Sequence, residues 1–310
     1  MAFAEGIEEF IDRCNRVMPP NSYQLPIAMQ RKLYSDLLSE FPYKIPAEIS
    51  WEDISKSQNG RAVKFRIYRP VGGTPLGLVF YIRGGGYVMG SLDSHHSVAA
   101  EMALYSNATV IAADFRLAPE HPFPAALEDC YNILTYIEGA SAELNLDLSR
   151  VVVAGDSSGG NMAVVLAMMC RDRRGPKITG QALISPVLDF TRWRKGGEDV
   201  PLLTGGEMEF YTACYSPDIH AVSSPHVSPL VSGNFSELPE AYIMGAEMDS
   251  LVIDAVEYAR LLRENGIDAE LVIEPGLVHA AVRARSLSPA VQNAWIRFCY
   301  KIRRMVNADV

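Results

Sequence analysis

Two rhythms of apolar and polar residues alternate along this chain of 310 residues. In residues 3–17, Phe3, Ile7, Phe10, Ile11 and Cys14 recur at helical spacing, and Met18-Pro19-Pro20 closes the run. Residues 25–41 repeat the habit with Leu33, Leu37 and Leu38. The N-terminal stretch therefore predicts two helices and no strand. Strand patterns follow. Residues 49–55 and 63–68 alternate, as strands exposed on one side do, while residues 76–82 and 108–113 are continuously apolar, as strands buried on both faces are. Further strands are expected at 151–154, 181–184, 242–244 and 270–273, and helices at 97–105, 124–137, 161–171, 251–264 and 289–305. From residue 76 onward strand and helix alternate, which predicts an α/β fold with a mostly parallel, doubly wound, eight-stranded sheet.

Residues 187–231 break the rhythm. They hold Trp193, the pair Gly196-Gly197, a short helical pattern at 208–215 and a Ser/Pro-rich run at 223–229, but no buried strand. An excursion of that length is too long for plain loop. It reads as an inserted helical cap that works with the N-terminal helices. The expected divisions are 1–48, the N-terminal part of the cap; 49–186, core; 187–231, inserted cap segment; and 232–310, core again.

The apolar run Val151-Val152-Val153-Ala154 ends in Gly155-Asp156-Ser157-Ser158-Gly159 and passes at once into a helical pattern. A strand can hand over to a helix so abruptly only through a sharp turn, and glycines are needed where the two backbones pass too close for a Cβ. Ser157 then sits at the apex with its hydroxyl exposed. A serine hydroxyl needs a base, and the base an orienting acid. With the chain order Ser, acid, His, the base is His279, in the loop following the strand at 270–273. Asp249, after the strand at 242–244, is the best acid, with Glu247 and Asp254 as competitors; Asp254 falls within a helix and is expected to point away. Tyr81-Ile82-Arg83-Gly84-Gly85-Gly86-Tyr87 follows a buried strand, and its glycines let backbone N–H groups converge. Together with the N–H of Ser158 they make a candidate oxyanion site. Neither phosphate-binding glycine pattern is matched.

Composition narrows the field. The net charge of −9, with no basic patch, argues against nucleic acid as a partner. Five scattered cysteines, an odd number without C-x-x-C spacing, argue against a disulfide framework and a zinc site. The N-terminus lacks the basic and apolar regions of a signal peptide, and no apolar run is long enough for a membrane span. A cytoplasmic protein with no metal or cofactor is expected.

Taken together, Gly155–Gly160, Asp114-Phe115-Arg116-Leu117-Ala118-Pro119-Glu120-His121-Pro122-Phe123-Pro124-Ala125-Ala126, Asp249-Ser250-Leu251 and Pro275-Gly276-Leu277-Val278-His279 resemble the hormone-sensitive-lipase-like carboxylesterases of the α/β-hydrolase superfamily, over roughly residues 60–305. The resemblance implies Ser157 as nucleophile, Asp249 as acid, His279 as base, and Gly85, Gly86 and Ser158 as oxyanion donors. It also implies a cap. The chain departs from the family in carrying Arg83 where the glycine motif begins with His, Ser158 where Ala is usual, and Ile253 in place of an acidic residue. The expected function is hydrolysis of a small ester, of short to medium chain, in a pocket that includes Tyr87 and Tyr211. A silent binding protein of the same fold, an amidase and a lactonase are the alternatives, and a homodimer is plausible. A neutral imidazole base predicts a rate that rises with pH through about 6–7.

Overall fold

A computed structural model describes residues 2–58, 60–72, 75–231 and 234–307. The outer ends of the first and last expected divisions, and residue 232 where the core was to resume, lie outside the described residues. Among those described, one sheet is formed by β1 (Ile49–Gln58), β2 (Arg61–Pro70), β3 (Leu78–Ile82), β4 (Thr109–Asp114), β5 (Val151–Asp156), β6 (Gly180–Ile184), β7 (Glu240–Met248) and β8 (Ala269–Val278). Its order is β1-β2-β4-β3-β5-β6-β7-β8. β2 runs antiparallel to both its neighbours, and every pairing from β4 to β8 is parallel.

The twofold period of the strands sorts their side chains into two cores. Phe80, Val153, Leu183 and Ile243 pack with α4 (Ala125–Gly139), α5 (Ser158–Asp172) and α8 (Val252–Glu264). Val79, Val152, Ala182 and Tyr242 pack with α1 (Ile7–Val17), α3 (His96–Ser106) and α9 (Pro289–Val306). Strand β3 has β4 on one side and β5 on the other, so the chain's direction of progress across the sheet reverses there. Loops leaving the carboxyl ends of β3 and β5 diverge and open a crevice between them.

Two features differ from the pattern-based expectation. β2 is not half exposed: Arg66 is 6% exposed, because it pairs with Asp53 and Asp93 and lies 4.6 Å over the Trp51 ring. An alternating basic residue reads as solvent-facing only while its partners are unknown. β7 and β8 also run several residues past their apolar centres, so that Glu274-Pro275-Gly276, which reads as a turn, lies inside a strand. Charged side chains of the 114–126 loop fasten it to its surroundings. Arg116 clamps Asp129 on α4, and Glu120 takes Arg31 from α2 (Ile27–Glu40).

Residues 187–231 contain α6 (Phe190–Trp193), α7 (Gly205–Tyr215) and short 3-10 turns, with no strand of the main sheet. Asp254 on α8 fastens the start of this segment. Its buried carboxylate accepts from Leu188 N (2.7 Å), Asp189 N (3.1 Å), Trp193 Nε1 (2.9 Å) and Arg192 Nη1 (2.6 Å). Removing it strands those donors, so Asp254→Ala should destabilise the protein by about 3 kcal/mol or more, read as a lower urea midpoint.

Candidate active site

Ser157 forms the one-residue joint between β5 and α5, at φ 53° and ψ −118°. Such a backbone is costly for a residue with a side chain and persists only where its surroundings over-determine it. The surroundings do so. A Cβ on Gly159 would lie 2.0 Å from the carbonyl oxygen of Ile82, and one on Gly155 would lie 2.3 Å from that of Gly159. The Ser157 N–H donates to Ile184 O at 2.8 Å, tying the joint to β6.

The chain places His279 one residue beyond β8. The β7–β8 register shifts between Ala246 and Met248: Ala246 faces Glu274, but Met248 faces Val278. The extra length bulges at Pro275-Gly276, where Gly276 has φ 66°. Glu247 Oε2 accepts the Gly276 N–H at 2.8 Å and holds the bulge. Glu247 thus supports the strand that carries His279 and makes no recorded bond to its ring.

His279 Nδ1 lies 2.8 Å from Asp249 Oδ2, and Nε2 lies 3.1 Å from Ser157 Oγ. A carboxylate only accepts, so Nδ1 carries the proton and Nε2 is left to accept from the serine hydroxyl. The other oxygen of Asp249 accepts from Leu251 N at 2.9 Å, so the side chain also organises the turn into α8. Asp249 and His279 are both buried. Burial disfavours the imidazolium, but Asp249, with Asp156 and Glu207 beyond it, outweighs that and raises the pKa of His279 above the ordinary value. Asp254, the other competing acid, is committed to residues 188–193.

Ser157 and His279 border a cavity of about 550 Å³ that Gly85, Gly86, Ser158, Tyr87 and Tyr211 also line. Of the residues expected from the sequence, Asp249 alone stays off the cavity wall and touches the site through His279. Helices α1 and α2 cover one side and residues 199–211 another. Tyr87 is mostly committed to packing, stacked 3.6 Å from Tyr215. Arg83 donates to Gly90 O at 3.0 Å and sits 4.0 Å over the Phe115 ring, bracing the glycine loop from below.

Motif reading missed Asp156, although it lies inside the motif. Its carboxylate accepts from Tyr81 OH (2.6 Å) and Gly84 N (3.1 Å), with His95 Nε2 at 3.6 Å. Burial alone would raise its pKa, but His95, Tyr81 and the Gly84 N–H bring it down to about 2. An ionised Asp156 thus fixes the glycine loop to the Ser157 turn. Two further cavity residues, Glu207 and Arg283, carried no sequence signal, since neither lies in a motif. Glu207 forms a capping box with Thr204 at the start of α7.

A mostly parallel sheet, a strained serine at its switch point and a Ser–His–Asp hydrogen-bond array define the class: an α/β-hydrolase. The profile of the family described as alpha/beta hydrolase fold matches residues 79–283. The carboxylesterase NlhH of Mycobacterium tuberculosis is 35% identical over 277 residues, covering 86% of each chain. The ethyl acetate hydrolase of Pseudomonas putida is 32% identical, over 74% of this chain and 75% of that one. The structure of a hyperthermophilic esterase from the archaeon Pyrobaculum calidifontis aligns with a TM-score of 0.88 at 30% identity, covering 98% of this chain and 99% of its own. The chain belongs to the α/β-hydrolase fold family, in its hormone-sensitive-lipase-like carboxylesterase branch.

The crowding at Gly159 gives a direct check. Gly159→Ala forces its methyl into the Ile82 carbonyl, so a loss of about 3 kcal/mol or more is expected in a thermal or chemical melt. A melt indistinguishable from wild type would mean that the turn is looser than described.

Proposed function

We propose that the protein is a serine carboxylesterase that works through an acyl-enzyme, with Ser157 as nucleophile, His279 as general base and Asp249 as its orienting acid. The reading rests on the paired contacts of 3.1 Å and 2.8 Å that run from the serine hydroxyl through the imidazole to the carboxylate. His279 takes the Ser157 proton as the oxygen attacks the ester carbonyl, and Asp249 stabilises the imidazolium that forms. The tetrahedral oxyanion is received by backbone N–H groups of Gly85, Gly86 and Ser158, the last at the start of α5, where helix N–H groups have no internal partner. His279 then protonates the departing alcohol, and water repeats the attack on the acyl group. The steps use no cofactor.

Helices α1 and α2 and residues 187–231 act as a two-part cap over the cavity. The cavity's size and its Tyr87 and Tyr211 walls suit esters of short to medium acyl chain, in keeping with the name of the Pseudomonas putida relative. Among the described residues no helix is long and apolar enough to cross a membrane. The five free cysteines suit a reducing compartment, and a cytoplasmic location is part of the proposal.

Turnover of a short para-nitrophenyl ester tests the reading. Ser157→Ala should abolish labelling by a fluorophosphonate and lower kcat by roughly 10⁴-fold or more. Labelling that persists in that variant would refute it. The pH profile follows from the site. The base works only when neutral, and its pKa is raised, so it stays protonated to higher pH than a free imidazole. The kcat/KM of wild type should therefore climb through a pH above 6.5, the ordinary imidazole value. A profile already flat at that pH would contradict the assignment of His279.

A further inference from the structure

Among the described residues, the cavity wall carries one guanidinium, that of Arg283, which no carboxylate touches. Arg283 follows His279 by four residues, in the 3-10 turn Ala281–Ala284, and lines the same cavity as Ser157. Among the described residues it makes no ion pair; Nη2 donates to Tyr34 OH at 2.5 Å and the guanidinium lies 4.7 Å over the Tyr34 ring. Nε and Nη1 make no hydrogen bond among the described residues, and the partly buried side chain borders the cavity. The cavity's own carboxylates are already engaged. Asp156 holds Tyr81 and Gly84, Asp199 holds Gly205 N at 2.9 Å, and Glu207 caps α7.

The location is close to the glycine loop. Tyr34 OH lies 3.4 Å from where a Cβ on Gly85 would stand. The guanidinium is therefore one side chain away from a proposed oxyanion donor. A guanidinium presents its N–H groups as a planar fork that matches a carboxylate, and taking it out of water without an anion is costly. A single fork balances one negative charge, which favours a carboxylate over a doubly charged phosphate.

We propose that Arg283 is a specificity residue that binds a free carboxylate on the substrate, so that the preferred esters are short half-esters of dicarboxylic acids. This rests on the esterase reading above and adds the substrate class. The carboxylate forms a two-pronged contact with Nη1 and the second N–H of Nη2, while the other Nη2 N–H stays on Tyr34 and keeps the guanidinium in place. The scissile carbonyl then lies over Ser157 a few bonds away.

The test compares para-nitrophenyl hydrogen glutarate with para-nitrophenyl hexanoate, which has similar length and no charge, after subtraction of spontaneous hydrolysis. The quantity read is the ratio of the two kcat/KM values. Wild type should favour the charged ester, and Arg283→Met should reduce the ratio roughly ten- to hundredfold. Arg283→Lys, which keeps the charge without the fork, should fall between them. A proportionate loss on both esters, or an unchanged ratio, would overturn the proposal and leave Arg283 as a strut for Tyr34. If Arg283→Met fails to fold, calorimetry of Ser157→Ala decides: tighter binding of the hydrogen glutarate ester supports the proposal, and equal affinity for both esters overturns it. Wild-type turnover of the hexanoate reports separately on the esterase reading.

Discussion

The backbone of Gly159 passes so near the carbonyl of Ile82 that no side chain fits between them. That approach locks the first turn of α5 against the end of β3. Ser157, between β5 and α5, then has little choice of conformation, and its positive φ is the consequence. Because β3 and β5 are neighbours, the same contact brings the glycine loop beside the serine. The proposed nucleophile and the proposed oxyanion donors are thus placed by one packing constraint, before any hydrogen bond between them is counted.

Electrostatics completes what packing begins. Asp156 lies one residue before the serine, yet its carboxylate is spent on Tyr81 and Gly84, across the gap between β5 and β3. A buried carboxylate is tolerable only when donors surround it, and here the donors belong to the loop that must stay rigid. Asp249 and Glu247 divide a similar task at the end of β7. One takes the imidazole of His279, and the other takes the Gly276 N–H that shapes the bulge before it. On the same side chains' far border, the buried pair of Arg285 and Glu101 pins the turn that follows His279 to α3. His279 is therefore held from both directions along the chain, which is what a base needs if its ring is to meet the serine without further adjustment.

The two coverings of the cavity are fastened differently. Residues 187–193 are tied by the buried carboxylate of Asp254, whose four bonds reach backbone and side chain alike. The N-terminal helices are held by the burial of Ile7, Phe10 and Leu37, with polar ties beside it: Arg31 on α2 reaches Glu120, and Tyr34 meets Arg283. Exposed ion pairs contribute little, whereas buried networks resist disruption.

The sequence by itself determined the kind and order of the elements, and with them much of the site. Apolar period is a local property, so the two N-terminal helices, the strand centres and the later helices were all legible in it. The sharp Gly-x-Ser-x-Gly turn was legible too, because its glycines answer a constraint within a few residues of chain. What the tertiary structure alone decided was the partner of each polar group. Nothing around Arg66 announces that Asp53, Asp93 and Trp51 will cover it, and nothing around Glu274-Pro275-Gly276 announces that Glu247 will hold a bulge there. Asp254 looked idle until residues 188–193 came to it, and Arg283 belongs to no motif at all. The physical reason is the same in each case. Burying a charge or a backbone N–H is favourable or ruinous according to which group meets it, and that group comes from a distant part of the chain.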